Sequence, residues 1–438
     1  MENIVIYAIN QIDLKEKFMK KAFLLLGLIT LLALFIFIIL VFYYPVGRIG
    51  DVLNKKIYGY LYNGMYESDL REFLNGDLSN PPEWFLKQIK DDFADISSNK
   101  ITSKLINDTH EKLSAGNDEF IRIKIINHKI YYKSKEDESK AKELAGRYEI
   151  FLSALNEISE RLPNSDFILY LGDIHYKSLQ KDIAPIFVFS KSIHNKRNQI
   201  LMPDSLTLKN WKTMQYSIED INSKSDYDNK IPKAIWRGTT TGALYDSKDY
   251  FGTYTQIFDV NNYHKFQRTK AVSISQDNPD ILDAKFVYIA QATKEAEKIM
   301  LEKYKFGNFM SKKEQLQYQI QLTIDGNSCT YPGYLWRLAS NSVNIKVEGD
   351  DYQLFYGILK PWEHYVPAKY DLSDLAEQIK WVLENQDKAK EISSKAQELV
   401  KQNLMITDIY WYIVTLLEEY SKLVEMDDSL EGFREYKS

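Results

Sequence analysis

The sequence predicts an α/β protein: two domains of alternating helices and strands, preceded by one N-terminal transmembrane helix. Three observations predict it. The 438 residues are 45% hydrophobic, enough for two ordinary cores. Short apolar runs bounded by turn residues alternate with helix-period stretches, the pattern of a mostly parallel sheet covered by helices. The run AFLLLGLITLLALFIFIILVFYY, from Ala22 to Tyr44, carries no charge and is closed by Pro45. It is long enough to cross a bilayer as a helix and too long for the apolar region of a signal peptide.

Taken in order, residues 1–21 form a segment whose lysines (15, 17, 20 and 21) outnumber the basic residues just after the span, Arg48, Lys55 and Lys56. That bias leans toward a cytoplasmic N-terminus. Residues 46–115 read as short helices and loops. FIRIKIINHKIYY, residues 120–132, alternates strictly around Asn127–His128 and reads as a β-hairpin. Leu144, Tyr148, Leu152, Leu155 and Ile158 recur at helical spacing within 137–161. Strands follow at 167–171 and 186–189. The polar stretch 222–229 is the candidate linker between an N-terminal α/β domain, 46–225, and a C-terminal α/β domain, 226–438. Within the second domain, AIWRG reads as a strand and 281–302 as helical. Residues 318–324 then form a strand running into Asp325–Gly326, 333–341 a helix, and 343–347 another strand. Ser373 opens a helix with Asp374 and Glu377 in its first turn, which suits the helix dipole. Helices around 392–400 and 407–424 complete the chain.

Composition excludes several classes. A net charge of -5 gives no global electrostatic case for nucleic-acid binding. The single cysteine, Cys329, forms no intrachain disulfide, and with six histidines a dedicated Cys/His metal site is not expected. Asp226–Tyr227–Asp228 has metal–diphosphate spacing but sits in the polar linker, where a solvated segment explains it better. No phosphate-loop, dinucleotide, nucleophile-elbow or zinc-helix motif is present. One stretch does point to chemistry. KAIWRGTTTG, residues 233–242, ends a strand in an arginine followed by glycines and hydroxyls. Those are the donors a phosphate needs, although a surface arginine before a Thr-rich turn has the same letters.

IDGNSCTYPGYLWRLASNSVNIKV (324–347) and YGILKPWEHYVPAKYDLSDLAEQIKWV (356–382), with WRGTTTG, resemble glycosyltransferase family 90 over roughly 160–425. LPNSDFILYLGD (162–173), PIFVFSKS (185–192) and ILMPDS (200–205) extend the likeness, and 327–338 looks closest to the bacterial lipopolysaccharide branch. The resemblance implies the GT-B architecture, two Rossmann-like domains facing a cleft. It further implies an inverting transferase that moves a sugar of the glucose, galactose or xylose class from a UDP-sugar to a glycan, lipopolysaccharide or protein hydroxyl, with no cofactor and no metal. By motif position the catalytic base falls on Asp173. The nucleotide-sugar falls to Arg237, Gly238, Thr239 and Thr240, with Asp325, Gly326, Asn327 and Ser328 as a second wall. Lys191, Pro203, Asp204, Lys360 and His364 are further candidates on the cleft or acceptor side, while Trp362 and Tyr365 read as packing residues. Two arginines of the family's glucosyltransferases stand here as Tyr245 and Pro332. The expected localisation is a single-pass membrane protein, either of a bacterial inner membrane or of the endoplasmic reticulum or Golgi with a luminal domain. A non-catalytic glycan-binding or scaffolding member of the same fold is the alternative. A glycoside hydrolase ranks last, because no paired-carboxylate motif stands out.

Overall fold

The computed structural model describes residues 62–94, 96, 100–115, 119–134, 141–172, 183–194, 198–246 and 257–437. The run 22–44 lies outside them. Among the described residues no helix is long and apolar enough to cross a membrane. The single-pass membrane localisation expected from the sequence is therefore withdrawn.

Two sheets organise the chain. The first comprises β2 (Phe120–Ile126), β3 (Lys129–Lys133), β4 (Ser165–Tyr170), β5 (Ile186–Val188), β7 (Gln199–Leu201) and β15 (Arg434–Glu435), in the order β15-β3-β2-β4-β5-β7. Asn127 and His128 both take positive φ, 50° and 64°. That is the two-residue turn whose twist matches a hairpin, so β2 and β3 pair antiparallel as their alternation predicts. β2 also runs antiparallel to β4, and only β4, β5 and β7 are parallel. The first sheet is thus mixed where a mostly parallel one was expected, because a two-residue turn can join only antiparallel strands.

The second sheet is all parallel: β13 (Val366–Ala368), β11 (Val343–Val347), β10 (Tyr318–Thr323), β8 (Ile231–Thr239) and β9 (Leu282–Tyr288), in that order. Renumbered within the sheet, this is the doubly wound order 2-1-3-4-5, which reverses direction between β8 and β10. One face is apolar. Ala234, Trp236, Leu282, Phe286, Leu322 and Ile345 pack there in one core with Val272 and Ile379 from the helices Gln267–Asp277 and Leu375–Glu384. The other face carries Gln321, Thr323, Asn344 and Lys346, polar yet buried. Residues 282–288 are a strand where a helix was expected. Leu282, Ala284 and Phe286 turn to the core at period two, and the helix begins only at Lys294.

The halves are joined in three ways. β6 (Lys191–Ser192) pairs antiparallel with β12 (Asp351–Tyr352). The polar stretch 222–229 is pinned: Asn222 bonds the Ala339 carbonyl, Asn341 bonds the Ser225 carbonyl, and Tyr227 is buried in the second core. The chain then returns. Ala396, Val400 and the helix Ile406–Ser421 bury their apolar side chains in the first core. β14 (Val424–Glu425) pairs with β1 (Ile101–Thr102), and β15 with β3. The expected unit 226–438 therefore ends structurally near residue 396, because the last helix needs the apolar side of the first sheet to cover its own.

The first half also holds a buried histidine. His110, on the helix Ser103–Leu113, is 1% exposed, and burial pushes its imidazole down to about 4, with Glu111, Lys133 and Arg122 nearby. The unfolded chain takes up this proton below its ordinary value of 6.5, whereas the folded chain does so only near 4. The stability it contributes is present above pH 6.5 and lost as pH falls through that window, up to about 3 kcal/mol. Urea unfolding of His110→Gln at pH 7 and pH 4.5 should show a shallower acid loss than wild type. Equal slopes would show that His110 does not titrate with folding.

Candidate functional site

The C-terminal ends of β8 and β10 meet at the point where the strand order reverses, and the two sequence motifs form their loops. Gly242 has φ 124°, a left-handed conformation that side chains rarely adopt. A Cβ there would stand 3.1 Å from the Asp325 carbonyl oxygen, so the glycine lets the loops close on each other. Arg268, in the first turn of the helix Gln267–Asp277, staples them. Its Nε donates to the Asp325 carbonyl at 3.0 Å, and one terminal nitrogen donates to the Thr239 carbonyl at 3.1 Å and to the Thr241 hydroxyl. Gly326 packs on that guanidinium, with a Cβ position only 2.9 Å away. The first turn of this helix has no side-chain cap, its Gln267 N–H is taken by the Ala243 carbonyl at 2.9 Å, and the dipole of the helix lies at the same edge.

The second wall is an ion pair. Lys346 Nζ lies 2.7 Å from Asp325 Oδ2 and donates also to the Val347 carbonyl, while the Thr330 hydroxyl donates to Asp325 Oδ1 at 2.9 Å. Both charged side chains are less than a tenth exposed. Asn327 Oδ1 is buried without a hydrogen-bond partner, and the buried Ser328 hydroxyl bonds the Tyr331 hydroxyl at 2.9 Å. Arg337, buried on the following helix Gly333–Leu338, stacks on Trp336 at 4.5 Å and donates to the Gly333 carbonyl. Burial and the neighbouring Arg268 lower its pKa to about 9, so it remains a cation at neutral pH. Beside this wall lies a cavity of about 250 Å³, bounded by Lys346, Gly349, Tyr334, Tyr356 and Tyr365 and, from the first half, Ile193.

Several expected residues take other roles. Arg237 turns to the neighbouring strand, 2.6 Å from Asp283 Oδ2, and donates to the Trp236 and Asp283 carbonyls. Burial pushes the Asp283 carboxyl up, but bonds from Arg237 and Lys285 outweigh it and hold it below its usual range. In this structure the terminal nitrogens of the arginine brace one strand to the next, while its Nε is buried without a hydrogen-bond partner. Arg237→Ala should lower stability by about 1–3 kcal/mol and leave UDP affinity within about twofold of wild type. A large loss of UDP affinity at unchanged melting temperature would restore the ligand role. Gly238 is required by packing, since a Cβ would sit 2.3 Å from the Trp236 ring. The Thr240 hydroxyl is consumed by the backbone of Ala290, whose N–H donates to it at 2.6 Å.

On the acceptor side, Lys191 is neither a cleft residue nor a solvated one. It is a buried partner of Asp92 on the helix Glu83–Phe93, which also holds the Leu201 N–H. Pro203 is buried, and Asp204 caps the helix Ser205–Ser223 through the Thr207 N–H at 2.9 Å. Lys360 is exposed beside Glu363. His364 is buried, its Nδ1 accepting the Lys360 N–H at 3.0 Å, and burial lowers its pKa. Trp362 is half-exposed and packs edge-on against Trp381. Tyr245 lies under the Lys270 ammonium and Pro332 precedes the helix Gly333–Leu338, so neither position carries a cation. Asp173 lies outside the described residues. Among the described residues, no group of three or more metal-ligating side chains is found.

The sequence reading missed Arg268, Lys346 and Arg337. Lys346 had a legible signal, a lysine inside the apolar strand VNIKV. Arg268 had none, since nothing local joins FQRTKAV to loops 29 and 57 residues away.

A family model described as glycosyl transferase family 90 matches residues 78–246 and 257–432. Protein O-glucosyltransferase 3 of Mus musculus is 28% identical over 307 residues, covering 68% of this chain and 54% of its own. The Homo sapiens protein of the same name is 26% identical over 344 residues, with 76% and 61% covered. Protein O-glucosyltransferase 2 of Danio rerio is 28% identical over 272 residues, with 60% and 48% covered. The chain spans about half to three-fifths of the length of these relatives. Their names lend no support to the lipopolysaccharide-type branch.

Proposed function

The chain belongs to glycosyltransferase family 90, and from that premise we propose that it transfers a sugar from a UDP-sugar donor to a hydroxyl of a protein or glycan acceptor, with inversion. The observation that carries this is the convergence of the two motif loops at the switch point between β8 and β10, stapled by Arg268 and walled by the Lys346–Asp325 pair. Ligands of doubly wound sheets bind in that crevice. We read the two sheets as the facing units of a GT-B layout, with the donor on the second. The relatives' names favour glucose as the sugar and a protein hydroxyl as the acceptor.

In the proposed reaction Asp173 accepts the acceptor's hydroxyl proton as its oxygen attacks the anomeric carbon. The bond from that carbon to the phosphate oxygen breaks, and UDP leaves with the electron pair. Fixed positive charge at the crevice edge, from Arg268, Lys346 and the uncapped helix N-terminus, stabilises the developing negative charge without a metal. The test is a donor screen of the purified protein in EDTA with UDP-glucose, UDP-galactose and UDP-xylose, scoring UDP release and transfer. Turnover with one of them supports the reading. Binding without release or transfer favours the non-catalytic alternative, and rescue by manganese alone overturns metal independence.

A further inference from the structure

The helix Glu83–Phe93 carries none of the sequence motifs, yet three of them meet on one turn of it. Gln88 and Asp92 stand four residues apart, on one face of the helix, and both are buried. Gln88 Nε2 donates to Asp92 Oδ1 at 2.7 Å. The Lys191 ammonium, from PIFVFSKS, donates to the same oxygen. The Leu201 N–H, from ILMPDS, donates to Asp92 Oδ2 at 2.7 Å. From the second half, the Tyr352 hydroxyl donates to Gln88 Oε1 at 3.4 Å. Gly357, in YGILKPW, closes on both of these groups. A Cβ there would stand 2.4 Å from the Tyr352 hydroxyl oxygen and 3.7 Å from Gln88 Oε1.

These partners belong to the facing edges of the two halves. Leu201 ends the parallel strand β7 and Lys191 follows β5, at the C-terminal edge where sheets of this kind bind ligands. Lys191 is also half of β6, whose pairing with β12 sets Lys191 against Tyr352 and Ser192 against Asp351. Leu201 is held on its other side too, its carbonyl accepting from the Tyr412 hydroxyl at 3.3 Å. Burial pushes the Asp92 carboxyl up, against the pull of Lys191, the Leu201 N–H and Gln88. Buried ion pairs are often no more stabilising than apolar side chains of the same volume. What this one adds is direction, because a carboxylate's two oxygens fix donors from two loops at once.

We propose that Asp92 is a positioning residue of the transferase. Through Lys191 and Leu201 it sets the crevice edge of the first half, and through Gln88 and Tyr352 it fixes that edge against the second. Buried as it is, it acts through these partners and not on substrate. The consequence for turnover rests on the UDP-sugar reading above; the consequence for the β6–β12 junction does not. The test compares wild type, Asp92→Asn and Tyr352→Phe by amide hydrogen exchange, UDP calorimetry and UDP release from UDP-glucose, UDP-galactose and UDP-xylose. Asn keeps the volume and still accepts the Leu201 N–H, but it leaves Lys191 without a counter-charge. Exchange in peptides 186–193 and 350–358 should quicken at least about tenfold more than in the core peptide 120–126, the loss of one charge-assisted hydrogen bond. UDP affinity should stay within about twofold, while kcat falls roughly ten- to hundredfold at unchanged donor KM, as a misplacement of about 1 Å does. Tyr352→Phe should show the same signs more weakly, its exchange change confined to 350–358, and it carries the test alone if Asp92→Asn does not fold. Equal quickening in all three peptides, with the folded fraction fully active, marks a merely structural pair and overturns the proposal. Unchanged exchange at the junction overturns it too, as does a loosened junction with unchanged kcat. A loosened junction in a protein whose wild type turns over none of the three sugars upholds the positioning of the halves and ends only the UDP-sugar reading.

Discussion

Asp173→Asn is expected to lower turnover by roughly 10²–10⁴-fold, the usual contribution of a positioned general base, while nucleotide affinity and melting temperature stay close to wild type. Asn is nearly isosteric with Asp and cannot accept the acceptor's proton. In the proposed reading the nucleotide is held on the second sheet and does not depend on that carboxylate. An aspartate serving only as a turn cap gives the reverse pattern, a stability loss of about 0.5–2 kcal/mol with the folded fraction fully active. One preparation assayed for melting, UDP binding and transfer separates the two. An active but less stable variant ends the catalytic assignment. Asp204, the other carboxylate near this motif run, is already committed to capping the helix Ser205–Ser223, so Asp204→Ala should show that second pattern.

Lys346→Met should be the most destabilising single change at the site, by about 3–5 kcal/mol, because it leaves the Asp325 carboxylate buried beside nothing but the Thr330 hydroxyl. Donor affinity should fall as well, since the loop wall loses its cation. The double variant Lys346→Met/Asp325→Asn separates these effects. Removing both charges should restore most of the stability, as buried pairs replaced together often do, while leaving donor binding weak. Chemical denaturation and UDP titration of the three proteins measure both quantities. A single variant as stable as wild type would show that water already solvates the pair, and recovered UDP affinity in the double variant would remove Lys346 from the donor site.

Much of the fold was legible because its signals are local. Strict alternation around Asn127–His128 fixes a hairpin, since only residues tolerant of positive φ close that turn. Apolar runs such as QIQLT and VNIKV stand as strands, their helices punctuated by glycine, proline and capping residues. The 282–288 error was also local: LDAKFVY followed by a helical run carries both periods, and only packing of Leu282, Ala284 and Phe286 on the neighbouring strand chooses between them.

The site was legible as motifs but not as contacts. By itself, the sequence determined the family and the two loops that converge, because those depend on residue types at fixed spacing along the chain. Only the tertiary structure decided what each side chain does. Arg237 stands at the end of a phosphate-like motif, yet Asp283 lies on the adjacent strand at 2.6 Å and claims it. Lys191 is drawn inward by Asp92, 99 residues earlier. Arg268 and Lys346, which no motif marked, tie the two loops and their wall together. The reason is the short range of these forces in a folded interior. A buried charge must find its counter-charge or hydrogen bonds within a few ångströms, and strand order and register, not sequence distance, decide which group is there.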